Sequence, residues 1–173
     1  MLSKIILVGY MGVGKTTIGK ELGKITKIKY LDLDEIIEEK ENLSIEKLFS
    51  SKGELYFRKL EHQLFEGLIN NNESFILSTG GGTPCYYNNH LFLENKSVVS
   101  IYLEASINTI FNRLVNEQHQ RPIIKDLNEI ELKEFIGKHL FERSYYYLNA
   151  HHKIKVDDKD VSSICKEITS LLL

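Results

Sequence analysis

The sequence predicts an α/β protein built on a mainly parallel sheet, and three observations carry that prediction. Short apolar, β-branched runs recur along the chain, and longer stretches with helical spacing lie between them. The first run enters the first helix through a glycine-rich turn, Gly9-Tyr10-Met11-Gly12-Val13-Gly14-Lys15-Thr16. Strand and helix in alternation is the pattern of parallel neighbours joined by crossover helices. With 173 residues, 42% apolar and 27% charged, the chain suits one compact domain with a buried core and is not a largely disordered polymer.

The elements follow in order. Ile5-Ile6-Leu7-Val8 is the first strand, and the helix after it opens at Lys15-Thr16-Thr17 and runs to about residue 24. A second strand over 29–33 reaches Asp32-Leu33-Asp34, and a helix over 34–40 turns Ile36 and Ile37 inward and Glu38, Glu39 and Lys40 to water. Between 44 and 69, Ile45, Leu48, Phe49, Leu55, Leu60, Leu64 and Leu68 fall at helical intervals, interrupted near Gly53. A third strand over 75–77 runs into Thr79-Gly80-Gly81-Gly82-Thr83-Pro84, which reads as a turn. A fourth strand covers 98–103 and a helix 107–115. The polar stretch Asn116-Glu117-Gln118-His119-Gln120-Arg121-Pro122 contains a helix-blocking proline and is expected to be a mobile surface loop. A helix over 129–148, a strand over 153–156 and a helix over 161–172, with Asp160 as its N-cap, complete the pattern. There is no internal repeat, low-complexity tract or linker.

Charge and cysteine content bound the function. Lys and Arg total 22 against 24 Asp and Glu, a net charge of -2, so duplex nucleic acid is not the expected partner and only a local basic pocket would bind anions. Cys85 and Cys165 lie far apart, form no metal-ligand spacing, and read as ordinary residues of a reducing cytoplasm. The apolar run after Lys4 is too short for a signal peptide, and no stretch approaches the roughly 18 apolar residues of a membrane helix. A cytoplasmic protein away from membranes is therefore expected.

The turn at 9–16 matches G-x-x-x-x-G-K-[ST] in full, between an apolar strand and an amphipathic helix. Glycines let successive backbone N–H groups curl around phosphate oxygens, and the helix N-terminus adds a favourable dipole. Gly12, Val13, Gly14, Lys15, Thr16 and Thr17 are thus candidate ATP-binding residues, with Lys15 reaching the β and γ phosphates and the Thr16 hydroxyl available to Mg²⁺. A ligand-free structural turn is the bland alternative. The loop alone leaves kinases, GTPases and motors open. Asn95-Lys96-Ser97-Val98 lacks the Asp of a guanine-selecting loop, and the strand before Thr79 lacks an ordinary Walker B carboxylate. Small size and another carboxylate on the metal favour a small-molecule kinase.

That carboxylate is sought in Asp32-Leu33-Asp34, at the carboxyl end of a strand where α/β sheets bind ligands. Strand alternation is expected to turn Asp32 and Asp34 to the same side and Leu33 away. One would hold Mg²⁺ with Thr16, and the other would orient or deprotonate an acceptor hydroxyl; alternatively Asp34 simply caps the next helix. The arginines point to anions. Only Arg58, Arg113, Arg121 and Arg143 occur among the 22 basic residues, and a planar two-pronged donor is what carboxylate and triphosphate recognition needs. Glu61 stands one helical turn after Arg58 and can hold it in place.

Together these residues resemble the shikimate kinases over nearly the whole chain. The family pattern of P-loop, D-x-D, F-R-x-x-E, T-G-G-G, R-P and R-x-x-x-Y is met in order by Gly9 to Thr16, Asp32 to Asp34, Phe57-Arg58-Lys59-Leu60-Glu61, Thr79 to Gly82, Arg121-Pro122 and Arg143-Ser144-Tyr145-Tyr146-Tyr147. The resemblance implies a three-layer α/β/α P-loop kinase fold, a five-stranded parallel sheet in the order 2-3-1-4-5, and a single kinase domain over 1–173. Within it lie the P-loop at 9–16, a substrate-binding region around 34–61 and a lid around 116–128. It implies transfer of the ATP γ-phosphoryl group to the shikimate 3-hydroxyl, on the way to chorismate and the aromatic amino acids.

By motif, the resemblance makes Lys15, Asp34 and Arg121 catalytic and gives Arg113 and Arg121 to ATP. Asp34, Arg58, Gly80, Gly81, Gly82 and Arg143 go to shikimate, and Thr16 and Asp32 to Mg²⁺. Ile45, Phe49 and Phe57 look like the apolar side of the shikimate pocket or equally like plain core. Ile123 after Arg121-Pro122, where Leu is common, and the triple Tyr145-Tyr146-Tyr147 are small departures, with Tyr147 fitting the family tyrosine. A monomer is expected. A gluconate or nucleotide kinase and an inactive nucleotide-binding regulator are the competing readings.

Overall fold

The structure, a computed structural model, describes residues 4–118 and 123–172. Strand β1 (Lys4–Val8) leads to α1 (Lys15–Thr26), β2 (Tyr30–Asp32), α2 (Leu33–Glu41) and α3 (Ile45–Asn70). Strands β3 (Phe75–Ser78), β4 (Val98–Glu104) and β5 (His152–Lys155) follow, with α4 (Ile107–Leu114) and α5 (Glu129–Tyr147) between β4 and β5, and α6 (Val161–Ser170) last. All four pairings are parallel and the order is β2-β3-β1-β4-β5, as the resemblance implies. In register, Ile5 lies between Ile76 and Val99, and Leu7 between Ser78 and Ile101.

Alternation along β1 explains the layers. Ile5 and Leu7 join one core with Ile18 and Leu22 of α1, Ile110 of α4, Ile136 of α5 and Ile164 and Ile168 of α6. Ile6 and Val8 join the other with Leu33 and Ile37 of α2 and Leu48, Phe57, Leu60 and Phe65 of α3. A strand buried on both faces reads as a continuous apolar run, which is what residues 5–8 are. Each fully buried aliphatic side chain contributes about 1.5–3 kcal/mol, so these two layers hold the site's backbone in place. The β1 strand is also latched at its start: buried Lys4 donates through Nζ to Ile69 O (2.6 Å) and Asn71 O (2.5 Å), capping the carboxyl end of α3.

Local signals set the boundaries. Ser44, Ser106 and Asp160 cap α3, α4 and α6, and Asn128 with Glu131 forms a capping box on α5. The expected interruption at Gly53 is real: φ is 80° and ψ 167° inside an otherwise helical run. Two short 3₁₀ turns, Thr83–Cys85 and Asn89–Glu94, occupy a stretch without a periodic signal. The largest correction falls at the acidic pair. Strand β2 ends at Asp32 and α2 begins at Leu33, so Asp34 lies in the first turn of a helix and strand alternation does not relate the two carboxylates. Asp32, not Asp34, is the N-cap, accepting from Asp34 N at 3.0 Å.

Candidate functional site

A cleft of about 690 Å³ opens at the carboxyl ends of β1, β2 and β3, lined by the P-loop, Asp32, Asp34, Thr79, Gly80, Gly81 and Arg113. Its floor is the 9–16 turn. Gly9, Gly12 and Gly14 take φ of 145°, 78° and 102°, values that L side chains rarely adopt, and Gly14 ends the loop as the N-cap of α1. Lys15 folds back over the turn, its Nζ donating to Gly9 O (2.7 Å) and Tyr10 O (3.1 Å). Arg113, from α4, braces the same turn by donating through Nη1 to Gly12 O (3.1 Å) and Val13 O (2.9 Å).

At the start of α1, Thr16 Oγ1 donates to Asp32 Oδ2 at 3.2 Å. Tyr30 stands two residues before Asp32 on β2, and its hydroxyl donates to the same oxygen at 3.1 Å. Burial, ahead of the smaller influences of Ser78 and Asp32, pushes the Tyr30 phenol up to about 12, so it remains a donor. The i, i+2 relation on β2 is a signal that the sequence carries for Tyr30. A hydroxyl and a carboxylate held together at a helix N-terminus make a hard oxygen set that suits Mg²⁺, which takes its other positions from phosphate and water. Among the described residues there is no group of three or more His, Cys, Asp or Glu able to hold a metal by itself.

The second half of the site surrounds the Gly80–Gly82 turn. Asp34 is half-buried, and its carboxyl is raised to about 6, first by burial and then by Asp32 and Glu61, against the opposing charges of Lys15 and Arg58. A Cβ on Gly80 would meet Thr83 Oγ1 at 3.1 Å and Asp34 Oδ1 and Glu61 Oε1 at 3.2 Å. On Gly81 it would meet Met11 N at 3.4 Å and Arg143 Nη1 at 3.6 Å, and on Gly82 the Arg58 Nη2 at 2.8 Å. The three glycines thus let the turn sit between the P-loop, Asp34 and both guanidinium groups.

Arg58 is held as its spacing suggests. Its Nη1 donates to Glu61 Oε2 at 2.8 Å, and Glu61, itself fully buried, accepts at its other oxygen from Thr83 Oγ1 at 2.5 Å. Burial opposes the Arg58 charge, but Glu61, helped by Tyr86 and Glu54, holds the guanidinium above its ordinary pKa. The Arg58 group lies over the Tyr86 ring at 4.1 Å. Arg143 projects from α5 over the Tyr10 ring at 5.7 Å. Burial pushes the Cys85 thiol up to about 11 against the opposing charges of Arg143 and Arg58. Tyr147 donates to Gly81 O at 2.5 Å. Tyr10, Tyr86, Thr83 and Tyr30 enter the site unannounced by any motif.

Phe57 is buried beside the site, its ring 5.0 Å from the Arg58 guanidinium, with Phe49 against it at 4.6 Å between ring centroids and Ile45 packed on the same cluster. Arg121 and Pro122 lie outside the described residues, as does the middle of the expected mobile loop. The described flanks of the 116–128 region are tied together by Gln118 Nε2, which donates to Ile124 O (2.6 Å) and Leu127 O (2.5 Å).

Comparison with known proteins agrees over the full length. The family model for shikimate kinase matches residues 11–173. The shikimate kinase of Flavobacterium johnsoniae is 52% identical over 171 residues, 99% of each chain. The crystal structure of a shikimate kinase from Bacteroides thetaiotaomicron superposes with a TM-score of 0.91 at 33% identity, covering 99% of both chains. A shikimate kinase from Acinetobacter baumannii in complex with shikimate gives 0.87 at 28% identity, covering 99% of this chain and 93% of that one.

Proposed function

This chain belongs to the shikimate kinase family, and we propose that it transfers the γ-phosphoryl group of ATP to the 3-hydroxyl of shikimate, yielding shikimate 3-phosphate and ADP for chorismate and aromatic amino acid synthesis. The observation that carries this reading is the convergence of Arg58, Arg143 and Asp34 on the Gly80–Gly82 turn, against the P-loop. Two guanidiniums suit a carboxylate, and one carboxylate suits a ring hydroxyl.

In this reading the P-loop amides from Gly12 to Thr17, with Lys15, hold the ATP phosphates, and Lys15 neutralises charge that develops on the transferring group. Arg113 keeps the loop in shape from the nucleotide side, and Arg121 completes the charge neutralisation from the lid around 116–128. Thr16 and Asp32 would hold Mg²⁺, which shields the phosphate charges when bound. Asp34 accepts a hydrogen bond from the acceptor hydroxyl and takes its proton as the bond to phosphorus forms. Arg58, steadied by Glu61, and Arg143 grip the acceptor carboxylate, while Gly80, Gly81 and Gly82 leave room for it.

The reading treats 1–173 as one kinase domain, with the acceptor region around 34–61. A monomer is part of the same reading. The two cysteines are unpaired, which suits the reducing cytoplasm. Among the described residues no helix is long and apolar enough to cross a membrane.

Steady-state assays with ATP and Mg²⁺ against shikimate, gluconate and nucleoside monophosphates test the reading. Turnover with shikimate and not with the others is expected. Preference for either alternative acceptor overturns it, and nucleotide binding with no turnover of any acceptor would mark an inactive regulator.

A further inference from the structure

Helix α5 brings two residues to the acceptor end, one turn apart. Arg143 faces the glycine turn, and Tyr147 is fully buried behind it, its ring against Tyr102 at 5.2 Å between centroids. The Tyr147 hydroxyl donates to the carbonyl of Gly81, 66 positions away in sequence. That carbonyl belongs to a peptide between two glycines, where no Cβ resists rotation of the peptide plane. Because the peptide is planar and trans, fixing the Gly81 carbonyl also fixes the Gly82 N–H, which must point away from Tyr147. Gly82 is also closely packed by Arg58, whose Nη2 lies 2.8 Å from where a Cβ would stand.

We propose that Tyr147 is a positioning residue for acceptor binding: its hydroxyl locks the orientation of the Gly81–Gly82 peptide and keeps the turn in register with Arg143. The inference rests on the acceptor reading above. Its physical basis is that one side chain ties together two elements that each carry part of the carboxylate-binding end. Burial raises the phenol well above its ordinary value, with the nearby Arg143 charge pulling the other way, so the donor proton stays on the oxygen at working pH. The rest of the ring packs in the core beside Tyr102, which makes the hydroxyl separable from the packing.

Tyr147→Phe keeps the ring and deletes the donor. Losing one neutral hydrogen bond predicts a roughly three- to tenfold rise in KM and in calorimetric Kd for shikimate. Over the same change, kcat and the KM for ATP should stay within about twofold, because the P-loop is braced independently by Arg113. Hydrogen exchange at the Thr83 amide, which donates to Gly80 O at 3.1 Å across the Gly81–Gly82 peptide, should quicken in the full-length variant. Tyr147→p-aminophenylalanine, which restores a donor at the ring's end, should recover both shikimate affinity and slow exchange.

Unchanged shikimate KM with unchanged exchange in Tyr147→Phe overturns the inference. So does an equal loss for ATP and shikimate, the sign of general loosening. If wild type neither binds nor phosphorylates shikimate, the acceptor reading falls first, and the Thr83 exchange rate still reports on the peptide lock. A variant set in which only Tyr147→Leu is impaired would assign the residue to packing and overturn the positioning role.

Discussion

At the nucleotide end of the cleft, Gly9, Gly12 and Gly14 are bent into positive φ, whereas at the acceptor end none of Gly80, Gly81 and Gly82 is. The first three serve conformation: a side chain there is strained whatever surrounds it, and at Gly9 a Cβ would also strike Leu103 O at 2.5 Å. The second three serve clearance, and the cost of filling them depends on whether Asp34, Glu61, Arg58 or Arg143 can retreat. The ends differ in origin as well. The nucleotide end is mostly one continuous segment of backbone braced by Arg113, while the acceptor end is made of side chains from α2, α3 and α5 gathered around the glycine turn. Segmental backbone sites fail as a unit; assembled side-chain sites fail one contact at a time.

The sharpest way to break this contrast is to remove one charge from each end. Lys15→Ala should lower kcat by about 10²–10³-fold, since it deletes a charge aimed at the transferring phosphoryl group, with the fold intact by circular dichroism. Asp34→Asn should lower kcat by a comparable 10²–10⁴-fold yet leave ATP affinity nearly unchanged by calorimetry. If ATP affinity collapses in Asp34→Asn instead, Asp34 serves the metal and the two ends are not separable.

Next in size is the carboxylate grip. Arg58→Lys and Arg143→Lys should each raise the KM for shikimate roughly ten- to a hundredfold, because an ammonium cannot reproduce a two-pronged contact worth about 1.5–3 kcal/mol. ATP kinetics should hardly move. An acceptor analogue with the carboxylate reduced to an alcohol should be poor for wild type and should erase most of the Arg→Lys penalty. An equal penalty on both acceptors would remove the carboxylate from these arginines.

The contrast in legibility has the same physical root. The P-loop is read directly because its function needs fixed neighbours in sequence, and Gly9 to Thr16 supply them all. The five strands and their helices are legible because burial on both faces of β1 leaves an unbroken apolar run, and burial on one face of each helix leaves a periodic trace. Asp32 and Asp34 were harder: the chain switches from a period of two to 3.6 between them, and the capping hydrogen bond that makes the switch belongs to either residue equally on paper. Tyr10, Thr83 and Tyr86 act through contacts across many residues, which only the folded sheet brings together, and Tyr147, matched by the R-x-x-x-Y motif, shows its contact with Gly81 only in the fold. The 3₁₀ turns after Gly82, of three and six residues, are too short to display a period.

The smallest predicted effect concerns stability. Asp34 is raised to about 6 from an ordinary value near 3.8. Below that ordinary value the carboxyl is neutral in folded and unfolded chains alike, and no penalty exists. As pH climbs from 3.8 to 6 the unfolded chain loses the proton first, so stability falls, and above 6 the loss is complete. Asp34→Asn escapes this, so in chelator and without substrate its melting temperature should exceed that of wild type by a few degrees at pH 7–8. The gap should close toward pH 4. A gap that is constant with pH would show that the Asp34 charge is not strained by its surroundings.

The place of β1 in the sheet bears on how the chain is made. Of the five strands β1 is synthesised before the others, yet its partners are β3 and β4, so both of its edges stay open until residues 75–78 and then 98–104 have been made. Until then a nascent chain carries an unpaired run of Ile, Leu and Val immediately before the P-loop, the kind of edge that recruits other chains. A polypeptide truncated between β3 and β4 should therefore precipitate rather than bind nucleotide.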